Sequence, residues 1–161
     1  MAETTFNNQT AVVTGASLGI GRATALAFGE SGANVVVNYR SSEDAAQDVV
    51  AQIEAAGGKA IAHHADMADQ EAVESLIQRG VDEFGRVDIA ISNAAYSDRD
   101  FFYQADMEGF RRTVDVTMWG AFYLTRAATQ QMISQGDGGI ITLVSSPHAF
   151  IPAPKAMAYN M

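Results

Sequence analysis

The chain has 161 residues, 48% of them hydrophobic and 18% charged, with no cysteine and a formal net charge of -9 from 10 Lys and Arg against 19 Asp and Glu. That balance fits one globular domain with a real core and excludes a disordered or low-complexity chain, while the negative charge argues against nucleic acid or an anionic membrane as partner. Without cysteine there are no disulfides and no thiol chemistry; the opening MAETTFNNQT is neither basic nor apolar, and no apolar run reaches membrane-spanning length, so a cytoplasmic protein without signal peptide is expected.

After the polar leader, Ala11, Val12 and Val13 form a short apolar run, followed by the octapeptide TGASLGIG from Thr14 to Gly21. The pattern predicts a strand over about Thr10–Thr14, a tight turn punctuated by Gly15, Gly19 and Gly21, and a helix over Ile20–Glu30. Glycines there let backbone approach a phosphate closely, and the unpaired N–H groups of a helix N-terminus hold an anion, so a pyrophosphate is the expected guest. The spacing is GxxxGxG rather than GxGxxG, and taken alone it also fits a turn that merely closes strand on helix.

Further strands are predicted over about Asn34–Tyr39, Lys59–His64, Val87–Ser92 and Gly139–Ser145. Ala45, Val49, Ile53 and Ala56 mark one helical face, and Val73, Leu76, Ile77 and Phe84 another; Gly57, Gly58 and Gly85 stand where helices should stop. Asp106 to Gln135 reads as one long helix with Phe110, Val114, Thr117, Ala121, Leu124, Ala128 and Met132 on its inner face.

Strands rich in Val and Ile, alternating with helices, predict an α/β fold. It is a Rossmann-type doubly wound parallel sheet of about five strands with helices on both faces, a single nucleotide-binding domain over residues 1–161. The octapeptide then falls at the carboxyl end of the first strand, where such sheets bind nucleotides. At the end of the second strand, where an acid would bind the ribose 2′-hydroxyl of NAD, the chain has Tyr39-Arg40. Arg40 and Ser41 instead offer a guanidinium and a hydroxyl to a 2′-phosphate, which favours NADP(H) over NAD(H).

TGASLGIG, Asp66 after the third strand, Asn93-Ala94-Ala95 after the fourth, and Ser146 followed thirteen positions later by Tyr159 together resemble the short-chain dehydrogenase/reductase (SDR) family. The resemblance runs from end to end, and VVVNYRSSEDA is most similar to the 3-oxoacyl-carrier-protein reductase and glucose 1-dehydrogenase type. It implies a cofactor site made of Gly15, Ser17, Leu18, Gly19, Ile20 and Gly21, then Arg40 and Ser41, then Asp66 with the Met67 backbone, then Asn93, Ala94 and Ala95, with Tyr159 closing it.

In that family the residue at Asp66 accepts a hydrogen bond from the adenine amino group. A solvated loop carboxylate or a helix cap is the competing role, although Asp69 is the better cap. Asn93 is expected to tie the central strand to its neighbours. Ala95 stands where the family usually has glycine, and it costs about 1 kcal/mol if its φ is positive. Leu18 occupies a position where many NADP-preferring relatives carry a basic residue.

Hydride transfer to a carbonyl needs an acid for the developing alkoxide and a donor to hold the oxygen. The resemblance assigns these to Tyr159 and Ser146, with Ser145 the less favoured neighbour; as a lone residue Tyr159 would read as half-buried packing. A tyrosine, with a pKa of about 10, becomes a base only beside a cation. The family's lysine lies four positions after the tyrosine, beyond Met161, and Lys155 is not expected to replace it. The expectation is therefore a C-terminally truncated fragment of an oxidoreductase acting on a small carbonyl or secondary alcohol, with little turnover of its own. The alternative is a non-catalytic nucleotide-binding or regulatory protein.

Thr117, in VDVTMWGAF, takes the place of the family's catalytic asparagine, with one donor fewer; a bond back to its own helix is as good a reading. Trp119, Phe122 and Tyr123 read as packing or dimer contacts, and the resemblance implies a homo-oligomer, dimer or tetramer. His148 and Phe150 are expected walls of a substrate pocket. His63, His64 and His148 make no metal set, because adjacent strand residues point to opposite faces and no Cys or Glu completes the ligands.

Overall fold

The computed structural model describes residues 5–160; Met1–Thr4 of the leader and the terminal Met161 lie outside the described residues. Four short parallel pairings build one sheet of five strands: β1 (Thr10–Val13), β2 (Asn34–Tyr39), β3 (Lys59–His64), β4 (Ile89–Ser92) and β5 (Ile140–Leu143), in the order β3-β2-β1-β4-β5. Register runs Val12 beside Val36 on one side and Ala90 on the other. β1, β2 and β4 are buried along nearly their whole length, which is why they read as unbroken apolar runs rather than alternating ones.

Alternation persists beneath that uniformity. Ala11 and Val13 face one core with Val35, Val37, Val49 and Ile53, under helices α1 (Gly19–Glu30) and α2 (Glu43–Ala55). Val12 and Val36 face the other with Val73, Leu76, Leu124 and Met132, under α3 (Gln70–Phe84) and α5 (Gly120–Gln135), and α4 (Met107–Val114) runs ahead of α5. Asp69 starts α3 by accepting from the amides of Glu71 and Ala72, and Gly85 ends it at φ 82°, a left-handed conformation that glycine adopts without strain. No described helix is long and apolar enough to cross a membrane.

Several boundaries differ from the sequence reading. The first strand ends at Val13, the fourth begins at Ile89 and the fifth covers Ile140–Leu143. In α2 the buried face is Ala46, Val49, Val50 and Ile53, so Ala45 and Ala56 lie outside it; Phe84 of α3 is half-buried.

The long helix differs more. Asp106 is its N-cap, accepting from the amides of Glu108 and Gly109, and the backbone stays helical to Gln135, but Asp115–Trp119 forms a π-helical turn between α4 and α5. The wider turn shifts the phase of the inner face. The buried positions are Thr113, Val116, Gly120, Leu124, Ala127, Ala128 and Met132, while Phe110, Val114, Thr117 and Ala121 are only half-buried.

Candidate active site

The carboxyl ends of β1, β2 and β4 meet at one edge of the sheet, and polar side chains fasten them together. Thr14 Oγ1 accepts from the amides of Asn93 and Ala94, each at 3.0 Å, and donates to the Ile91 carbonyl at 3.2 Å. Asn93 Nδ2 donates to the carbonyl oxygens of Thr14 at 2.9 Å and Gly15 at 3.3 Å, so it ties β4 to β1. Asn38, buried in the apolar β2, accepts from the Gly15 amide at 3.0 Å and donates to the Ala65 carbonyl at 3.1 Å. Thr14, Asn38 and Asn93 thereby each find partners, as burial requires.

Those bonds set a tight turn. Gly15 has φ 61°, and a β-carbon on Gly21 would overlap the Gly15 carbonyl oxygen and Asn93 Nδ2. Leu18, the N-cap of α1, is extended and makes no side-chain capping bond, so the first amides of α1 face outward beside the turn, the arrangement that suits a phosphate.

Beside the turn lies a cleft of about 360 Å³. Of the residues singled out from sequence, Gly15, Ser17, Arg40, Ser41, Asp66, Met67, Asn93, Ala94 and Ala95 line it; Leu18, Gly19, Ile20 and Gly21 do not. Leu18 and Ile20 project into solvent, and Gly21 is packed under the turn. Asn38, Tyr39, Ser42, Ala65, Tyr96, Arg112 and Val116 complete the lining. An asparagine in the middle of the Val-rich VVVNYR was the available signal for Asn38; Arg112 carried none, because its reach spans two distant segments.

Asp66 does not cap a helix. Its Oδ1 accepts from the Ala68 amide at 2.9 Å and from Arg112 Nη2 at 2.8 Å. Partial burial pushes this carboxyl up, but those two hydrogen bonds and the charges of Arg112 and Arg40 outweigh it and hold the acid below its ordinary value. Tyr39, beside this segment at the end of β2, is raised by burial and then by the nearby Glu43.

A second cleft, of about 220 Å³, is lined by Ser92, Ala94, Ala95, Thr117, Ala121, Leu143, Val144, Ser145, Ser146, Ala149 and Tyr159. Ala94 and Ala95 are therefore walls of both clefts. Ser146, Tyr159 and Thr117 come together here from three separate segments. Ser146 Oγ accepts from the His148 amide at 3.2 Å, which steadies the hydroxyl and leaves its proton for another acceptor.

Two expectations are corrected, and the conformation of Ala95, left open by the sequence, is decided. Thr117 does not bond back to its own helix: its Oγ1 donates to the Tyr96 carbonyl at 2.9 Å and accepts from the Tyr96 amide at 3.1 Å, because the π turn presents it to that loop. Neither His148 nor Phe150 lines the second cleft; Phe150 is 88% exposed, while the His148 ring packs edge-on to Tyr159 at 6.4 Å between centroids. Ala95 is not among the described residues with positive φ, so it carries no left-handed strain.

Near Tyr159 the described cation is Arg99, with its Cζ 5.9 Å from the ring centroid. Lys155 lies over Phe101 instead, Nζ 4.4 Å from the centroid. Trp119, Phe122 and Tyr123 form an aromatic cluster on α5 and its preceding turn, with Trp119 and Phe122 about half exposed. Among the described residues no cluster of His, Cys, Asp or Glu has metal-ligand geometry.

The short chain dehydrogenase family model matches residues 9–161. The chain is 42% identical over 146 residues to an L-rhamnose 1-dehydrogenase (NAD(P)(+)) of Sphingomonas sp., a match covering 91% of this chain and 58% of that protein. It is 41% identical over 142 residues to a 3-oxoacyl-[acyl-carrier-protein] reductase of Synechocystis sp., covering 88% of this chain and 58% of that one. A crystal structure of a dehydrogenase/reductase from Sinorhizobium meliloti superposes with a TM-score of 0.91 at 33% identity, covering 98% of this chain and 62% of that chain. The chain thus spans less than two thirds of the length of these relatives.

Proposed function

The chain belongs to the short chain dehydrogenase family, and on that premise we propose that it is a single NAD(P)-binding domain whose two adjoining clefts serve hydride transfer between NADP(H) and a small carbonyl or secondary alcohol. The observation that carries this reading is the wall the clefts share. A dinucleotide laid from Arg40 and Asp66 across Gly15 toward Ala94 and Ala95 brings its far end to the cleft that holds Ser146 and Tyr159.

The residues present fit such a cofactor. The close approach of Gly15 and Gly21 keeps side chains out of the phosphate path, and the uncapped start of α1 offers amide donors. Arg40 and Ser41 hold the 2′-phosphate, a geometry that a guanidinium serves better than an ammonium. When bound, the reduced cofactor supplies the hydride that goes to the carbonyl carbon. Ser146 donates a hydrogen bond to the carbonyl oxygen, and Tyr159 gives up its phenolic proton as that oxygen becomes an alkoxide.

A second reading, nucleotide binding without turnover, is favoured by Thr117, whose hydroxyl proton is already given to Tyr96. The exposed Trp119 and Phe122, beside the half-buried Tyr123, support a homo-oligomer, dimer or tetramer, and the cytoplasm is the location we propose.

Titration of the purified chain with NADPH and with NADH, followed by nicotinamide fluorescence, tests the proposal. Tighter binding of NADPH, with the difference erased in Arg40→Leu, is the expected result. Equal affinity in the unaltered chain removes the NADP(H) preference, and absence of binding by both removes the cofactor reading. NADPH consumption with a panel of carbonyl compounds then separates turnover from binding alone.

A further inference from the structure

Arg112 stands on α4, just before the π turn that carries Thr117 to the second cleft, yet its guanidinium turns to the first. Its Nη2 lies 2.8 Å from Asp66 Oδ1, and the Ala68 amide meets the same oxygen at 2.9 Å. Both donors thus fall on one oxygen, and among the described residues no donor reaches Oδ2. The helix is held against this loop: a β-carbon on Gly120 would lie 2.7 Å from the Met67 carbonyl oxygen, and Met67 is 4% exposed. Arg112 is itself only a quarter exposed, so the ion pair is partly withdrawn from water and less screened than a surface pair.

We propose that Arg112 is a positioning residue: by clamping Oδ1 it fixes the rotation of the Asp66 carboxylate so that Oδ2 points into the cleft as an acceptor for the 6-amino group of adenine. The inference rests on the dinucleotide reading above. A carboxylate tied at one oxygen by a backbone amide alone still swings about its Cβ–Cγ bond, and a second donor from another element removes that freedom before the ligand arrives. The pair also keeps Asp66 ionised and acceptor-only, in keeping with its lowered pKa. The clamp joins α4, just ahead of the π turn, to the loop after β3.

The test uses the 161-residue chain and two probes that differ in one group: AMP, and purine riboside 5′-monophosphate, which lacks only the 6-amino group. Calorimetric titration of the unaltered protein should show AMP binding about tenfold more tightly, the size expected of one charge-assisted hydrogen bond. Arg112→Met should bring AMP down to the level of the purine probe while leaving the purine probe unchanged, and Arg112→Lys, which keeps a charged donor, should recover most of the preference.

A tenfold preference that survives Arg112→Met overturns the proposal and leaves the nucleotide reading standing. Equal weakening of both probes overturns it also, since Arg112 would then act on the phosphate or on the fold; thermal melts of each variant tell those apart. Binding of neither probe to the unaltered chain defeats the dinucleotide reading and the proposal with it. If Arg112→Met does not fold, Arg112→Lys decides alone: a narrowed preference with unchanged purine-probe affinity supports the clamp, and parallel loss for both probes rejects it.

Discussion

Asn38 Oδ1 accepts the Gly15 amide at 3.0 Å while the same side chain donates to the Ala65 carbonyl at 3.1 Å, so one buried asparagine joins the glycine turn after β1 to the loop after β3. Asn38 is 2% exposed, and its bond to the Ala65 carbonyl is buried away from water. It is the strut that holds the two sides of the proposed cofactor cleft at a set distance.

Asn38→Leu should therefore destabilise the chain by about 1–3 kcal/mol, since it strands the buried Ala65 carbonyl and takes the partner from the Gly15 amide. Urea denaturation followed by circular dichroism checks this. A loss below about 0.5 kcal/mol would mean that the neighbouring loops find other partners.

The two glycines at the start of α1 should respond differently. At Gly19 a β-carbon meets nothing within 4 Å, but φ is 57°, so Gly19→Ala should cost about 1 kcal/mol through backbone strain alone. Gly21→Ala has an ordinary φ and no room, because its β-carbon overlaps the Gly15 carbonyl and the Asn93 amide. It should cost more, about 1–3 kcal/mol from overpacking, and it should also displace the turn and abolish NADPH binding. Melting temperatures and NADPH titrations of both variants give the comparison, and equal effects would contradict the packing argument.

His63 gives the fold a pH dependence near neutrality. Burial first, then the charges of Arg79 and His64, hold its imidazole below the usual 6.5. The folded chain thus takes up this proton less readily than the unfolded chain. Its contribution to stability is fully present above pH 6.5 and is lost as the pH falls from there toward the lowered folded-state value. Denaturation midpoints between pH 7.5 and 5 should fall on acidification, and His63→Gln should flatten that part of the curve. An unchanged slope in the variant would show that other groups carry it.

Much of the architecture was legible before any coordinates, because it depends on local order. The apolar runs at Ala11–Val13 and Val35–Val37, the 3.6-residue period of Val73, Leu76 and Ile77, the cap at Asp69 and the stop at Gly85 each follow from residues close together in the chain, and each appears where the periodicity placed it. Ser146 and Tyr159 were singled out by the resemblance to the SDR family rather than by local order, and the fold brings both into one cleft.

The pairings across long stretches of chain were decided only by the tertiary structure. A π turn at Asp115–Trp119 has no local signature. It displaces the inner face to Thr113, Val116 and Gly120 and turns Thr117 onto Tyr96 rather than its own helix. Arg112 carries no signal in the sequence, and packing of Gly120 on Met67 sets it beside Asp66. Helical and strand periods depend on each residue's near neighbours and can be read along the sequence. The partner of a buried polar side chain depends on which distant backbone group the packed layers bring within 3 Å of it, and that distance exists only once the sheet and its helices have closed.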